Sequence, residues 1–210
     1  MRDSFEPEIK SVIFDLGRVL VDFDHRISAR KIAAYSDKNE EEILKLFFDS
    51  PVTAEFEAGK STPQEFFLRI KEMLSLRMSY EEFVPAWNEI FSFSEKNRQV
   101  YTLALKLKKR YKTALLSNVN LLHFEYIKKT FPILDAFHAV ITSFEAGCVK
   151  PSACIYNSAL KLLESSPAQT FYTDDREELI LSARELGIRG FTFKGVEQLK
   201  SDLHTSGVEF

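Results

Sequence analysis

Ser11-Val12-Ile13-Phe14-Asp15-Leu16-Gly17 is a short run of β-formers that stops abruptly at an aspartate, a leucine and a glycine. Four such residues without polar alternation fit a strand buried on both faces, as in a parallel sheet, and the Asp-Leu-Gly that follows reads as the turn leaving it. Outward from this stretch the pattern recurs. Thr113 to Leu116 ends at Ser117-Asn118, Ala139 to Thr142 forms another short strand, Thr170 to Thr173 ends at Asp174-Asp175, and Gly190 to Phe193 closes the series. Between them lie helical segments. Val100, Leu103, Ala104 and Leu107 fall at i, i+3, i+4 and i+7 on one face, with Lys108-Lys109-Arg110 suited to the C-terminal end of the dipole. Leu121 to Lys129, Ile155 to Leu163, Glu177 to Leu186 (closed by Gly187) and Val196 to Leu203 follow. Strands alternating with helices predict an α/β, Rossmann-like parallel sheet with helices on both faces.

One stretch breaks the rhythm. After Val19 to Phe23 and the polar Asp24-His25-Arg26, the chain from about Ile27 to Phe93 has helical segments and no convincing strand. Glu40 to Phe48 reads as a helix. Thr62-Pro63-Gln64-Glu65 sets a cap, a proline at N1 and a glutamate at N3, and Ser79-Tyr80-Glu81-Glu82 repeats the capping box. The expected organisation is a catalytic core of residues 1–24 and 94–210, interrupted by a small helical cap at 25–93.

The 210 residues suffice for one core plus such an insertion. A net charge of −3, with no basic block, argues against a nucleic-acid partner, and 19 phenylalanines without interleaved basic residues read as packing rather than base-stacking platforms. No apolar run approaches the ~18 residues of a membrane span, and acids and a proline occupy the first ten residues where a signal peptide needs an apolar core. A cytoplasmic protein with no membrane partner is expected. Cys148 and Cys154 read as two inert thiols of a reduced compartment, since the four scattered histidines offer no helical ligand spacing for a zinc site.

In parallel sheets, ligands bind beyond the carboxyl ends of the strands. Asp15, Ser117 and Asp174-Asp175 each stand at such an end, so three polar points far apart in sequence converge on one edge. Phosphoryl transfer through a covalent intermediate needs a carboxylate nucleophile, a divalent cation, donors for the phosphoryl oxygens and a fixed positive charge. Asp15 is the candidate nucleophile and Asp175 the candidate metal ligand. The Ser117 hydroxyl and the Asn118 amide are candidate donors near a helix start, and Lys150 is the candidate cation. The structural alternatives are a turn aspartate at 15, a helix N-cap at Asp174-Asp175, and a solvated lysine at 150.

The four polar points and their flanks resemble the motifs of the haloacid dehalogenase (HAD) superfamily, in order and over nearly the whole chain. Ile13 to Asp22 resembles the first, Leu115-Leu116-Ser117-Asn118 the second, Gly147-Cys148-Val149-Lys150-Pro151 with Ile155-Tyr156 the third, and Phe171 to Glu177 the double-aspartate form of the fourth. Phe56-Glu57-Ala58-Gly59-Lys60-Ser61 and Ala86 to Phe91 resemble its inserted cap. The branch most similar contains sugar-phosphate phosphatases and the N-terminal phosphatase domain of soluble epoxide hydrolases. The resemblance implies a Mg²⁺-dependent phosphatase of small phosphorylated metabolites, sugar phosphates among them, working through an aspartyl-phosphate. On this reading Asp15 attacks phosphorus; the Asp15 carboxylate, the Gly17 carbonyl and Asp175 hold Mg²⁺, with Asp174 in support; and Ser117 and Lys150 bind the phosphoryl group.

Two positions depart from the family pattern. Gly17 stands where most of these phosphatases carry a second aspartate that protonates the leaving group. Without it, departure with little proton assistance is expected, favouring leaving oxygens that are already weak bases. A cap residue, or Asp22, Asp24 or His25, is the alternative donor. Leu179 stands where an acid or asparagine usually orders a metal-bound water; Glu178 is a substitute or a solvated helix residue. These departures keep two other readings open, a non-catalytic binding protein of the same fold and a haloacid dehalogenase.

Overall fold

A computed structural model describes residues 7–210. In chain order its main elements are β1 (Ser11–Phe14), β2 (Asp22–Phe23), α1 (His25–Ala33), α2 (Glu40–Asp49), α3 (Pro51–Glu57), α4 (Pro63–Leu74), α5 (Tyr80–Asn88), β3 (Phe91–Ser92), α6 (Glu95–Leu107), β4 (Lys112–Ser117), α7 (Leu121–Thr130), β5 (Ala139–Thr142), α8 (Ser143–Ala146), α9 (Ala153–Leu163), β6 (Thr170–Asp174), α10 (Glu177–Glu185), β7 (Arg189–Thr192) and α11 (Val196–Thr205). Five strands form one parallel sheet in the order β5-β4-β1-β6-β7. The stretch Ser11–Phe14 is therefore the central strand, fully buried because it has a neighbour on each side and a helical layer on each face.

Alternate side chains feed two apolar layers, as the pleat demands. Val12, Phe14, Leu115 and Phe171 join Val100, Leu103, Leu107, Ile127, Leu199 and Leu203, beneath α6, α7 and α11. Ile13, Ala114, Leu116 and Tyr172 join Ile155, Ala159, Leu163, Ile180 and Ala183, beneath α9 and α10. The predicted α/β architecture is the one observed. The helix periodicity at 100, 103, 104 and 107 marks the buried face of α6.

The inserted segment is helical, α1 to α5, and packs around an apolar cluster of its own that includes Ile32, Phe47, Phe56, Phe66, Phe83 and Trp87. Capping boxes at Thr62/Glu65 and Ser79/Glu82 start α4 and α5 as their sequences predict. A third box, Asn39/Glu42, starts α2. The insertion does contain one strand, contrary to expectation. β3 is two residues long, too short to leave a sequence pattern, and it pairs antiparallel with β2 through Asp22↔Ser92 and Phe23↔Phe91. That pairing ties the two ends of the insertion together. Among the described residues no helix is long and apolar enough to cross a membrane.

Candidate active site

Three strands deliver the polar residues to one edge. Asp15 follows β1, with its backbone N–H still bonded to the Thr173 carbonyl of β6 at 2.9 Å. Ser117 ends β4 and Asp174 ends β6. Beyond Asp15 the chain folds into a tight loop. The N–H groups of Leu20 and Val21 both donate to the Leu16 carbonyl (2.9 and 3.0 Å), and Arg18 N–H donates to the Val21 carbonyl (2.6 Å). Arg18 takes a left-handed backbone (φ 58°), which is unusual for a side-chain-bearing residue.

Lys150 comes from the loop between α8 and α9 and is only 4% exposed. Its ammonium donates to Asp15 Oδ1 and Asp174 Oδ2, both at 2.6 Å, and to the Leu116 carbonyl at 3.2 Å. It also reaches the Tyr172 hydroxyl at 3.3 Å, which in turn donates to Asp174 Oδ2. The solvated-lysine alternative therefore fails. Asn118 clamps this loop: its carboxamide oxygen accepts from the Lys150 N–H (2.7 Å) and its Nδ2 donates to the Lys150 carbonyl (2.9 Å). This corrects the expectation that the Asn118 side-chain amide points at a bound anion, because both of its ends are engaged with the Lys150 backbone. The same loop corrects the reading of the cysteines. Between the two cysteines the chain turns, with the Ser152 N–H donating to the Val149 carbonyl at 2.9 Å; the Cα atoms of Cys148 and Cys154 lie 6.4 Å apart, and their sulfurs form a disulfide.

Asp15, Asp174 and Asp175 each offer a carboxylate oxygen, all within 4.8 Å of one another. Burial, reinforced by Asp174 and Asp175, pushes Asp15 up to about 7 despite Lys150. Asp175 is also raised, by burial and by Asp174, against Arg18, whose guanidinium lies 3.8 Å away. Burial works against the Lys150 charge, but Asp15 and Asp174 outweigh it and raise its pKa. Three acids facing one buried ammonium and the more exposed Arg18 guanidinium leave a deficit of positive charge, and the donors are hard oxygens. A divalent cation of the Mg²⁺ kind fits both the charge and the chemistry of this set.

The cap alternative for the paired aspartates is not what the structure shows. Arg176 is the N-cap residue of α10 and makes no side-chain cap bond, while Asp174 Oδ1 accepts from the Arg176 N–H at 2.9 Å. Glu178 forms an ion pair with Arg176 at 2.6 Å and is solvated, and Leu179 is buried. Asp22 is bonded to Lys96 and Ser94 and Asp24 caps α1, so both serve local structure.

Asp15, Lys150, Asp174 and Asp175 line a cavity of about 330 Å³ between the sheet edge and the inserted helices, together with Gly17, Ser117, Asn118 and Arg176. The helical side contributes His25, Phe47, Thr53, Ala54 and Glu57. Tyr172, Glu57 and Phe23 are the participants that sequence reasoning missed. Tyr172 could have been found from strand parity, since it shares a face with Asp174. Phe23 crowds position 17: a β carbon there would stand 2.9 Å from the edge of the Phe23 ring.

A family model described as haloacid dehalogenase-like hydrolase matches residues 12–193. D-ribitol-5-phosphate phosphatase of Bacteroides thetaiotaomicron is 26% identical over 189 residues, covering 87% of this chain and 91% of that protein. A sesquiterpene phosphatase of Aspergillus oryzae is 22% identical, covering 86% and 88%. The crystal structure of a HAD family enzyme from Bacteroides thetaiotaomicron, in complex with magnesium and inorganic phosphate, superposes with a TM-score of 0.79 at 29% identity, covering 89% of this chain and 94% of that one. The chain belongs to the haloacid dehalogenase-like hydrolases.

Proposed function

We propose that this chain is a Mg²⁺-dependent phosphatase of small phosphorylated metabolites that works through an aspartyl-phosphate on Asp15. The observation that carries the reading is the convergence of Asp15, Ser117, Lys150 and the Asp174-Asp175 pair on one cavity floor. Its relatives support the phosphoryl chemistry, one acting on D-ribitol 5-phosphate by name and another solved with magnesium and phosphate. A cavity of 330 Å³ lies at the small end of ligand pockets, which suits a metabolite.

In this reading Asp15 and Asp175, with the Gly17 carbonyl, hold the cation, and Asp174, already bonded to Lys150 and Tyr172, keeps its neighbours in place. When bound, the cation would screen the Asp15 carboxylate from the anionic phosphoryl oxygens and would draw density from phosphorus. Lys150 and the Ser117 hydroxyl bind the phosphoryl oxygens, joined by the Asn118 backbone N–H in place of its engaged side chain. Lys150 also keeps Asp15 oriented and favours its ionised, nucleophilic form. The division into a core and a cap at 25–93 belongs to the proposal and is supported by the separate apolar cluster of α1 to α5. A haloacid dehalogenase needs no metal, so the clustered carboxylates favour the phosphatase.

The experiment is a phosphate-release screen over phosphorylated metabolites with and without Mg²⁺. Metal-dependent release is expected. Metal-independent halide release from haloacids would point to the dehalogenase, and no turnover of either kind to a binding protein.

A further inference from the structure

The phosphatase reading leaves one proton unassigned. At the position where a second aspartate usually serves, the chain has Gly17, and the Phe23 ring fills the space a side chain would need. If proton transfer is assisted, the donor must come from elsewhere on the cavity wall. Most titratable groups there are committed. Asp15 is the nucleophile and Asp175 a metal ligand. Asp174 is bonded to Lys150, Tyr172 and the Arg176 N–H. His123 is locked in one tautomer: its Nε2–H donates to the Trp87 carbonyl at 3.1 Å, and its Nδ1 accepts from Asn120 at 3.1 Å. Burial, with the nearby Arg18 charge, depresses His25 to about 4, so it carries no proton to give at neutral pH.

Glu57 is different. It sits at the end of α3, and Thr53, Ala54 and Glu57, spaced as one helical face, are the α3 residues that line the cavity. Its carboxylate makes no hydrogen bond or ion pair among the described residues. Arg176, the charge nearest in effect, has its ion pair with Glu178. The backbone at this point is pinned to the core. The Ser143 hydroxyl donates to the Glu57 carbonyl at 2.6 Å and accepts from the Val119 N–H at 3.0 Å, two residues past Ser117. Gly59, in left-handed backbone, lies so close to the Phe144 carbonyl that a β carbon would stand 2.1 Å from it. The helix end that carries Glu57 is thus fixed against the loop that carries the phosphoryl donors.

We propose that Glu57, from the inserted helices, is the general acid and base of this enzyme, replacing the side chain absent at Gly17. This rests on the phosphatase reading. As an Asp15 oxygen bonds to phosphorus, the bond from phosphorus to the leaving oxygen breaks, and that oxygen takes the proton of the Glu57 carboxyl. In the second step the Glu57 carboxylate takes a proton from water, the water oxygen bonds to phosphorus, and the Asp15–phosphorus bond breaks. Inorganic phosphate leaves and Glu57 is again protonated. Burial raises the Glu57 carboxyl above the ordinary range, against the opposing Arg176 charge, which is the direction general acid catalysis calls for.

The test is Glu57→Gln, assayed with Mg²⁺ against phosphates of similar size whose leaving groups differ in basicity. For alkyl phosphates, kcat/KM should fall by about 10²–10⁴-fold, the usual worth of general acid catalysis. For p-nitrophenyl phosphate, whose leaving oxygen needs no proton, formation of the aspartyl-phosphate, read as the burst of p-nitrophenol, should change by less than about tenfold. That retained burst also reports that the variant is folded. An equal loss for both classes, a loss that follows substrate hydroxyl count instead of leaving-group pKa, or no loss at all would overturn the assignment of Glu57. If the unmodified protein releases phosphate from neither class, the phosphatase reading itself fails, and the assignment with it.

Discussion

The floor of the cavity is a network of paired charges. Lys150 reaches two carboxylates at 2.6 Å each, a tyrosine hydroxyl and a carbonyl, and all of these are supplied by strand ends or the loop beside them. The roof, built by α1 to α3, is mostly apolar and aromatic, and the carboxylate it contributes, Glu57, has no bonded partner among the described residues. Paired charges in a buried network are fixed in place and make a rigid template for a reaction centre. A lone acid over an open cavity is free to meet whatever enters. The contrast separates a floor that would be shared by every substrate from a roof that would respond to each one.

The strongest way to break this comparison is Asp15→Asn. If the floor performs the chemistry, the nearly isosteric amide should remove activity, by on the order of 10⁶-fold as for other enzyme nucleophiles, with the thermal melt preserved. Turnover by clean, folded variant protein would move the chemistry away from Asp15. Next comes Lys150→Met. Deleting one partner of a buried charge cluster typically costs ~3–5 kcal/mol, so urea unfolding should show a loss of that order, whereas Glu57→Gln at the roof should leave stability nearly unchanged. Similar losses in the two variants would erase the distinction between a bonded floor and an unbonded roof.

Within the floor, the two neighbouring aspartates should part company. Asp175→Ala is expected to weaken Mg²⁺ binding by at least about tenfold on calorimetric titration, more than Asp174→Ala does. Asp174→Ala should lower the melting temperature more, because Lys150, Tyr172 and the Arg176 N–H all donate to that carboxylate. The reverse ranking in the titration would show that Asp174 is the ligand.

The smallest effect concerns the seam between floor and roof. His123 of α7 stacks on Trp87 of α5, and burial, with the neighbouring His25, depresses it to about 3. The unfolded chain takes up this proton below about 6.5. The folded chain does not until about 3, so this contribution to stability is complete above pH 6.5 and is lost as pH falls. His123→Phe, which keeps an aromatic ring against Trp87, should flatten the decline between pH 6.5 and 4.5 by up to ~1.4 kcal/mol per pH unit. An unchanged slope in denaturant titrations would mean that His123 is charged in the folded state or plays no part in it.

The floor was legible because its signals are local. A buried strand ending in a polar residue can be read from six or seven consecutive positions, and Asp15, Ser117 and Asp174 all announce themselves that way. Lys150 was legible through the resemblance of Gly147 to Pro151 to the family's third motif, although nothing in that loop declared its burial. The roof was not legible to the same degree. Glu57 looks like any helix-terminal glutamate until α3 is set over the cavity, and the occlusion of position 17 by Phe23 depends on how β2 returns past the first turn. Asn118 was recognised as part of the site, but its carboxamide serves the Lys150 loop, a choice fixed by a segment 32 residues away. The disulfide escaped because two cysteines six residues apart reveal nothing about the reversal between them.

The central position of β1 also has a temporal meaning. Ser11 is hydrogen-bonded to Thr170, 159 residues later in the chain. During synthesis at the usual pace, the strand that leads into Asp15 is complete roughly 8–30 s before its second neighbour exists. Through that interval the helices of residues 25–88 can already gather around their own apolar cluster, while Val12, Ile13 and Phe14 can pair on one side at most, with β4 once it is made. Asp15 is thus made long before β6, the neighbour that completes its place in the sheet. A chain cut short before Asp174 would carry the aspartate without the enzyme.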